Sequence, residues 1–314
     1  MKFFYYLFNF LYNFLPSIYF KWKYHHLHNK SILWDQDYIL NRINYYCKIN
    51  GNFHLPSDIP SIKYFKKTRG TGYYLDLKEF LHFFVPATRI AYHFGDETHI
   101  NDYPTLFKAR PLNETNQNSV LFKLNKRRHF KFIKDNKVFK DKKDQLVWRG
   151  AAYQTNRKSF VQKFWNHPMF DVGQTNKPIE DIPWQKDFMT IKEQLDYKFI
   201  FCGEGNDVAT NLKWAMSSNS LCMMPKPTCE TWFMEGTLIS NYHYVEVKPD
   251  FSDMVEKMKF YIQNQDEALQ IIQNANNFVH QFTDKDREDF LCIKVLEKYV
   301  YLSQQRNAIR YAKK

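Results

Sequence analysis

Arg157 and Lys158 fall in the first turn of a stretch whose apolar residues, Phe160, Val161, Phe164 and Trp165, recur at helical spacing. Cations at that end oppose the helix dipole at a cost of about 0.3–1 kcal/mol each. A docked anion reverses the sign and uses the unpaired N–H groups as well. Phosphate binding is therefore one reading, and solvated surface charge is the other. Gly203-x-Gly205 follows the apolar run Tyr197–Phe201 and suits close approach of backbone to a ligand. A single G-x-G is short of a nucleotide fingerprint. Asn206 and Asp207 read first as helix caps. Glu230 suits hydrogen bonding to sugar or ribose hydroxyls, or capping of the next helix. Asp96, where Ile90–Phe94 gives way to Gly95, is the best-placed carboxylate for a general base in the amino-terminal half. Most single aspartates are structural, and that is its competing reading.

Absences narrow the chemistry. There is no GxxxxGK[ST], HExxH or GxSxG, which argues against a P-loop kinase, a zinc protease and an α/β-hydrolase. The triplets Asp35-Gln36-Asp37 and Asp284-Lys285-Asp286 follow no strand, as a metal-bridging D-x-D in a sugar transferase would, and read as surface. The five cysteines are odd in number and scattered, with no zinc-ligand spacing. A reducing compartment and no metal are expected.

The elements that must position these residues form one repeating pattern. Tyr197–Phe201 reads as a buried strand, Gly203–Asp207 as a turn, and Val208, Leu212, Ala215 and Met216 as a helix. Leu221–Met224 is a second strand, stopped by Pro225 and Pro227, and Glu230–Gly236 resembles a short helix ended by glycine. Strand, turn, helix, strand is a unit of a parallel α/β sheet, whose ligands sit outside the carboxyl ends of the strands. Further strands are expected at Ile90–Phe94, Thr105–Phe107, Val120–Leu124, Gln145–Trp148 and Tyr244–Val247, and helices after Asp250. The cations Lys108, Arg110, Lys126 and Arg128 lie just beyond two of these strands and suit acceptor or phosphate contacts. Two α/β halves meeting near residue 145 follow from this order.

Forty-five Lys+Arg against 33 Asp+Glu give a net charge of +12, which suits an anionic partner. The basic patch from Lys123 to Lys143 lacks any nucleic-acid-binding motif, so nucleic acid is not expected. The stretch from Phe3 to Phe20 carries no charge, and Phe3, Leu7, Phe10, Leu11 and Phe14 share a helical face. Asn9, Asn13 and Pro16 interrupt it, whereas a span wants about 20 continuous apolar residues. An aromatic amphipathic helix followed by Lys21 and Lys23 suits the membrane interface. Ordinary packing on the body and a true span are the other readings.

The motifs together resemble glycosyltransferase family 90. They are Leu146-Val147-Trp148-Arg149-Gly150…Arg157, Glu204-Gly205-Asn206-Asp207-Val208-Ala209-Thr210-Asn211-Leu212-Lys213-Trp214, Glu230-Thr231-Trp232-Phe233-Met234-Glu235-Gly236 and His243-Tyr244-Val245. Phe94-Gly95-Asp96 and Pro104–Pro111 extend the match, which is similar to the bacterial lipopolysaccharide branch and covers about residues 70–285. The resemblance implies a GT-B-like fold, two Rossmann-type α/β domains facing a central cleft, with C-terminal helices. It implies a UDP-sugar co-substrate, no cofactor, no metal and inverting transfer. Asp96 matches the family's base and Arg157 its diphosphate arginine. A second phosphate arginine falls on Asn211, and a serine after the Arg-Gly turn on Ala151. Lys213 or Arg149 are the candidate substitutes. Gly150, Gly203, Gly205, Asn206 and Glu230 complete the implied donor side.

These readings assign residues 1–25 to a membrane-interface segment and 26–145 to an acceptor-side α/β domain. Residues 146–284 form the nucleotide-sugar domain, and 285–314 a helix packing back on the amino-terminal one. The expected activity is transfer of a hexose, glucose, from a UDP-sugar to a lipid-linked lipopolysaccharide or lipooligosaccharide core. The expected place is the anionic inner face of the cytoplasmic membrane, as a peripheral protein. A same-fold transferase acting on capsule glycan or protein serine, and a non-catalytic basic membrane- or nucleic-acid-binding protein, are the alternatives.

Overall fold

The computed structural model describes residues 2–12, 14–113 and 115–311; Asn13 and the side chain of Phe3, both used in reading the first apolar stretch, lie outside it. In chain order the first elements are α1 (Lys2–Tyr12), α2 (Ser17–Ser31), α3 (Gln36–Tyr46), α4 (Thr71–Leu81), β1 (Thr105–Phe107), β2 (Ala109–Pro111), β3 (Ser119–Leu121) and α5 (Lys126–His129). Next come β4 (Lys143–Gly150), α6 (Thr155–Phe164), β5 (Phe170–Gln174), α7 (Ile191–Gln194), β6 (Tyr197–Phe201), α8 (Leu212–Met216) and β7 (Leu221–Met224). The last are β8 (Cys229–Thr231), β9 (Val245–Glu246), α9 (Met254–Gln263), α10 (Gln265–His280) and α11 (Lys285–Leu302). The fold is mixed α/β with a parallel sheet and carboxy-terminal helices. Two compact units divide it. Unit 1 holds residues 1–128, 229–232 and 284–314, and unit 2 holds residues 129–228 and 233–283.

Unit 2 is built on a five-stranded sheet in the order β5-β4-β6-β7-β9, with every pair parallel. Parallel strands are covered on both faces and so read as continuous apolar runs. All of β6 and β7 is buried. Phe160 on α6 stacks on Phe201 with ring centroids 3.7 Å apart, and Phe164 stacks on Phe170 at 4.1 Å. The expected helix from Val208 shortens to α8. The preceding residues are held as a loop, with the Gly205 N–H on the Asp207 carbonyl and the Asn211 amide on the Phe201 carbonyl. Asn206 and Asp207 therefore cap no helix here.

Unit 1 pairs β1 with β3 in parallel and β2 with β8 antiparallel, Arg110 opposite Glu230. That second pairing corrects the reading of Glu230–Gly236 as a helix. A buried cross-strand ion pair, Arg110 Nε to Glu230 Oε1 at 2.7 Å, holds the segment extended. The run Ile90–Phe94 contributes one bridge, Tyr92 to Leu106, rather than a full strand. Asp35 and Asp284, from the two D-x-D triplets, cap α3 and α11 by accepting from the N–H groups of Tyr38 and Arg287. Tyr5 donates to Asp76 at 2.7 Å and fastens α1 to α4. Phe4, Phe8, Phe10, Leu11, Ile18 and Trp22 nonetheless stay exposed. No helix among the described residues is long and apolar enough to cross a membrane.

A buried ionic node of unit 1 centres on Glu288 of α11. It accepts from Arg42 Nη1 on α3 at 2.6 Å, Lys123 Nζ at 2.8 Å and the Trp232 indole at 2.7 Å. Trp232 in turn stacks on Tyr46 at 3.7 Å. Burial pushes the Glu288 carboxyl up, but Lys123 and Arg42 outweigh it and hold the group below its ordinary value. Removing one partner from a buried ionic node costs about 3–5 kcal/mol, because the remaining charges lose their compensation. Glu288→Ala should therefore destabilise unit 1 by that amount in urea titrations followed by tryptophan fluorescence. Lys30→Ala, at the exposed pair with Asp286, should leave the midpoint in place. Equal midpoints for Glu288→Ala and the parent protein would remove the node from the account.

Candidate active site

In an open parallel sheet, neighbouring strands whose connections leave in opposite directions open a crevice at their carboxyl ends. Here the chain runs from β4 outward to β5, then crosses back to β6 on the other side of β4. The switch point therefore lies between the ends of β4 and β6. Arg157, in the first turn of α6, spans it. Its guanidinium donates to the Ala151 carbonyl just beyond β4 at 3.3 Å. It also donates to the Gly203 and Glu204 carbonyls beyond β6, at 2.9 and 3.0 Å. Gly205 leaves room for this approach, since a Cβ there would lie 2.9 Å from Arg157 Nη2 and the guanidinium would have to shift. Asn156 donates to the Glu204 carbonyl at 2.9 Å, and Gln154 to Asn206 Oδ1 at 2.8 Å, so the start of α6 and the glycine turn form one piece.

Beside this piece lies a cavity of about 680 Å³ at the carboxyl ends of β6, β7 and β9, within the size range of small-molecule sites. Glu204 stands on its wall and accepts from the Thr228 N–H at 2.9 Å and hydroxyl at 2.6 Å. Lys226, Lys248 and Lys257 add cationic groups. Glu204, Thr228 and these lysines are absent from the sequence-level site. Glu204 lies in the glycine turn read from the sequence, and the prolines after β7 bracket Lys226, but no sequence signal pointed to Lys248 or Lys257.

The other expected donor residues are placed differently. Arg149 lies inward on Asp171 of β5, at 2.6 Å. Burial pushes the Asp171 carboxyl up, yet hydrogen bonds from Tyr197, Arg149 and Lys186 hold it well below the usual carboxylate range. Lys213 is fully buried and ion-paired with Glu235 beneath the Phe233 ring. Asn211 donates to the end of β6. Gly150 ends β4, where a Cβ would meet the Trp148 ring at 2.8 Å, as one at Gly203 would meet Phe201 at 2.5 Å. Glu230 belongs to unit 1 and is spent on Arg110 and Tyr45. Arg110 itself is wholly buried.

On unit 1, Asp96 gathers two of the four expected cations. Lys108 and the Tyr73 hydroxyl donate to one carboxylate oxygen, and Arg128 Nη1 to the other at 2.6 Å. Lys126 turns instead to Glu79 at 2.5 Å and Asp76 at 3.6 Å. Burial raises the Asp96 carboxyl, but the Lys108 charge and the three hydrogen bonds prevail and hold it far below the usual range. The group is ionised at neutral pH, about a quarter exposed, and fixed in direction. A carboxylate so placed can accept a proton from an incoming hydroxyl. Tyr73, on α4, was invisible as a partner because 23 residues separate it from Asp96.

Comparison with known proteins identifies the family. The profile of the family described as Glycosyl transferase family 90 matches residues 114–313. Over 264 residues the chain is 42% identical to the O-glucosyltransferase LpsA of Dichelobacter nodosus, covering 84% of this chain and 83% of that protein. With a family match over residues 114–313 and 42% identity across most of both proteins, the chain belongs to glycosyltransferase family 90.

Proposed function

We propose that this glycosyltransferase transfers glucose from UDP-glucose to a lipopolysaccharide or lipooligosaccharide core acceptor, with inversion and without a metal. The sugar is suggested by the relative's name, O-glucosyltransferase. The observation that carries the donor side is Arg157, held across the ends of β4 and β6 beside the cavity. In this reading unit 2 holds UDP-glucose and unit 1 supplies the base, in the two-domain GT-B arrangement of the family. The acceptor oxygen attacks C1 of glucose on the face opposite UDP, and its proton passes to the Asp96 carboxylate. The bond from C1 to the phosphate oxygen breaks, and UDP leaves. Charge developing on UDP is met by Arg157 and the amino-terminal N–H groups of α6, fixed donors of the kind worth about 2.7–4 kcal/mol each in a transition state.

The acceptor class rests on surface character. The exposed apolar side chains of α1 and α2 precede the first acidic residue, Asp35, and the net charge is +12. Both suit docking on an anionic bilayer that presents a lipid-linked glycan. Five free, buried cysteines suit the reducing, cytoplasmic side. A capsule glycan or a protein serine would meet the same two units, so acceptor profiling decides between them.

Asp96→Asn should lower transfer of glucose from UDP-glucose by at least about a hundredfold, the scale of general-base catalysis, with UDP affinity within about twofold of the parent. Retained transfer would remove Asp96 from the mechanism. Arg157→Ala should weaken UDP binding itself by about tenfold or more in calorimetry, as loss of a charge-assisted contact implies. Unchanged UDP affinity would end its phosphate role. Both variants should still sediment with anionic phospholipid vesicles, and a parent protein left in the supernatant would remove the membrane from the proposal.

A further inference from the structure

His93, Glu97 and His99 form a cluster on unit 1 that the transfer chemistry leaves unused. Their ligand atoms all lie within 4.8 Å of one another, and this is the one such group among the described residues. Glu97 Oε2 is 2.7 Å from His93 Nε2 and 3.4 Å from His99 Nδ1. The rings are held from behind. His93 and His99 meet edge to face at 4.5 Å, and both pack on Phe107, at 5.5 and 5.1 Å. Phe107 is buried in β1, and the His93 N–H is bonded to the Leu106 carbonyl, so the strand fixes the first ligand. On the other side the three side chains remain between a third and a half exposed, leaving an open position for water.

We propose that His93, Glu97 and His99 bind one divalent transition-metal ion of the zinc type. Two imidazoles and a carboxylate with an open fourth position are a donor set that zinc takes at about 2.0–2.2 Å per bond. Tetrahedral bonds of that length put ligand atoms roughly 3.3 Å apart. The His99 to Glu97 separation already fits, and the His93 contact must open by roughly 0.6 Å. The surroundings select the metal class. Arg69 takes the other oxygen of Glu97 at 2.6 Å, and the neighbouring Asp96 is neutralised by Lys108 and Arg128. Little net negative charge remains to attract a hard cation. Affinity must come from the imidazole nitrogens, which favours zinc, cobalt or nickel over magnesium or calcium. The spacing His-x3-Glu-x-His lies on irregular backbone, so no helical or finger motif announced it. The site stands independently of the role given to Asp96, although an ion there would brace the segment that carries it.

The test uses the full-length, untagged protein, stripped with EDTA and dialysed. Titration with Co2+ should produce the visible absorption of low-symmetry cobalt, and Zn2+ should abolish it. Calorimetry with Zn2+ should give one site in the micromolar range or tighter, with Mg2+ and Ca2+ silent. Glu97→Gln, which keeps the side chain's size, and His99→Ala, at an exposed position, should each weaken Zn2+ binding about tenfold or more. Their thermal transitions without metal should match the parent, which separates lost ligation from lost folding. No Zn2+ or Co2+ binding, equal affinity in either variant, or equal binding of Mg2+ would each overturn the assignment. Activity enters none of these readouts, so failure here leaves the transferase proposal untouched.

Discussion

A sheet in which every strand runs the same way must deliver all its strand ends to one edge. That constraint organises unit 2. The crossover from β5 back to β6 makes the gap beside β4 the place where two loops leave in opposite directions, and backbone carbonyls gather there. An arginine at the start of α6 is the side chain whose fork reaches carbonyls on both sides of that gap. Gly205 suits that approach, because a Cβ there would meet the guanidinium, whereas Gly203 leaves room for the Phe201 ring. Arg157, one of the two cations that oppose the helix dipole, thus acquires a structural reason for its place.

Unit 1 shows how burial sorts charges by role. Arg110 with Glu230 and Arg42 with Glu288 are almost wholly removed from solvent. Such pairs are matched internally, and separating them costs several kcal/mol without offering an atom to a ligand. Asp96 keeps about a quarter of its side-chain surface while holding three donors. It combines a fixed direction with access. Its partners lower its basicity, so in the proposed reaction an acceptor hydroxyl would take the place of one of them.

The central strands β6 and β7 were legible because strands buried on both faces read as near-continuous apolar runs, whereas the edge strand β5, with Asp171, Gly173 and Gln174 among its five residues, was not. Tyr197–Phe201 and Leu221–Met224 were read to the residue. The short segments were not. Glu230 reads locally as helix-forming, and only the distant Arg110 makes it a strand. Val208 has helical spacing, but loop hydrogen bonds from Gly205 and Asn211 decide its conformation. Asp96 and Arg157 could be singled out because each follows a strand or opens a helix. Their partners Tyr73, Lys108, Gly203 and Ala151 come from the folded chain. The grouping of His93, Glu97 and His99 depends on Phe107 in a neighbouring strand, and spacing alone carries no trace of it.

The central claim is that unit 2 holds a UDP-sugar without help from a metal. The most direct test is thermal stabilisation of the purified protein by UDP, UDP-glucose, UDP-galactose and GDP-mannose, each with and without EDTA. A ligand at about 100 times its dissociation constant adds about 2.7 kcal/mol of stability. The account predicts a shift with UDP and a larger one with UDP-glucose, both unchanged by EDTA, and none with GDP-mannose. No shift with any uridine nucleotide, or a shift that EDTA removes, would contradict it.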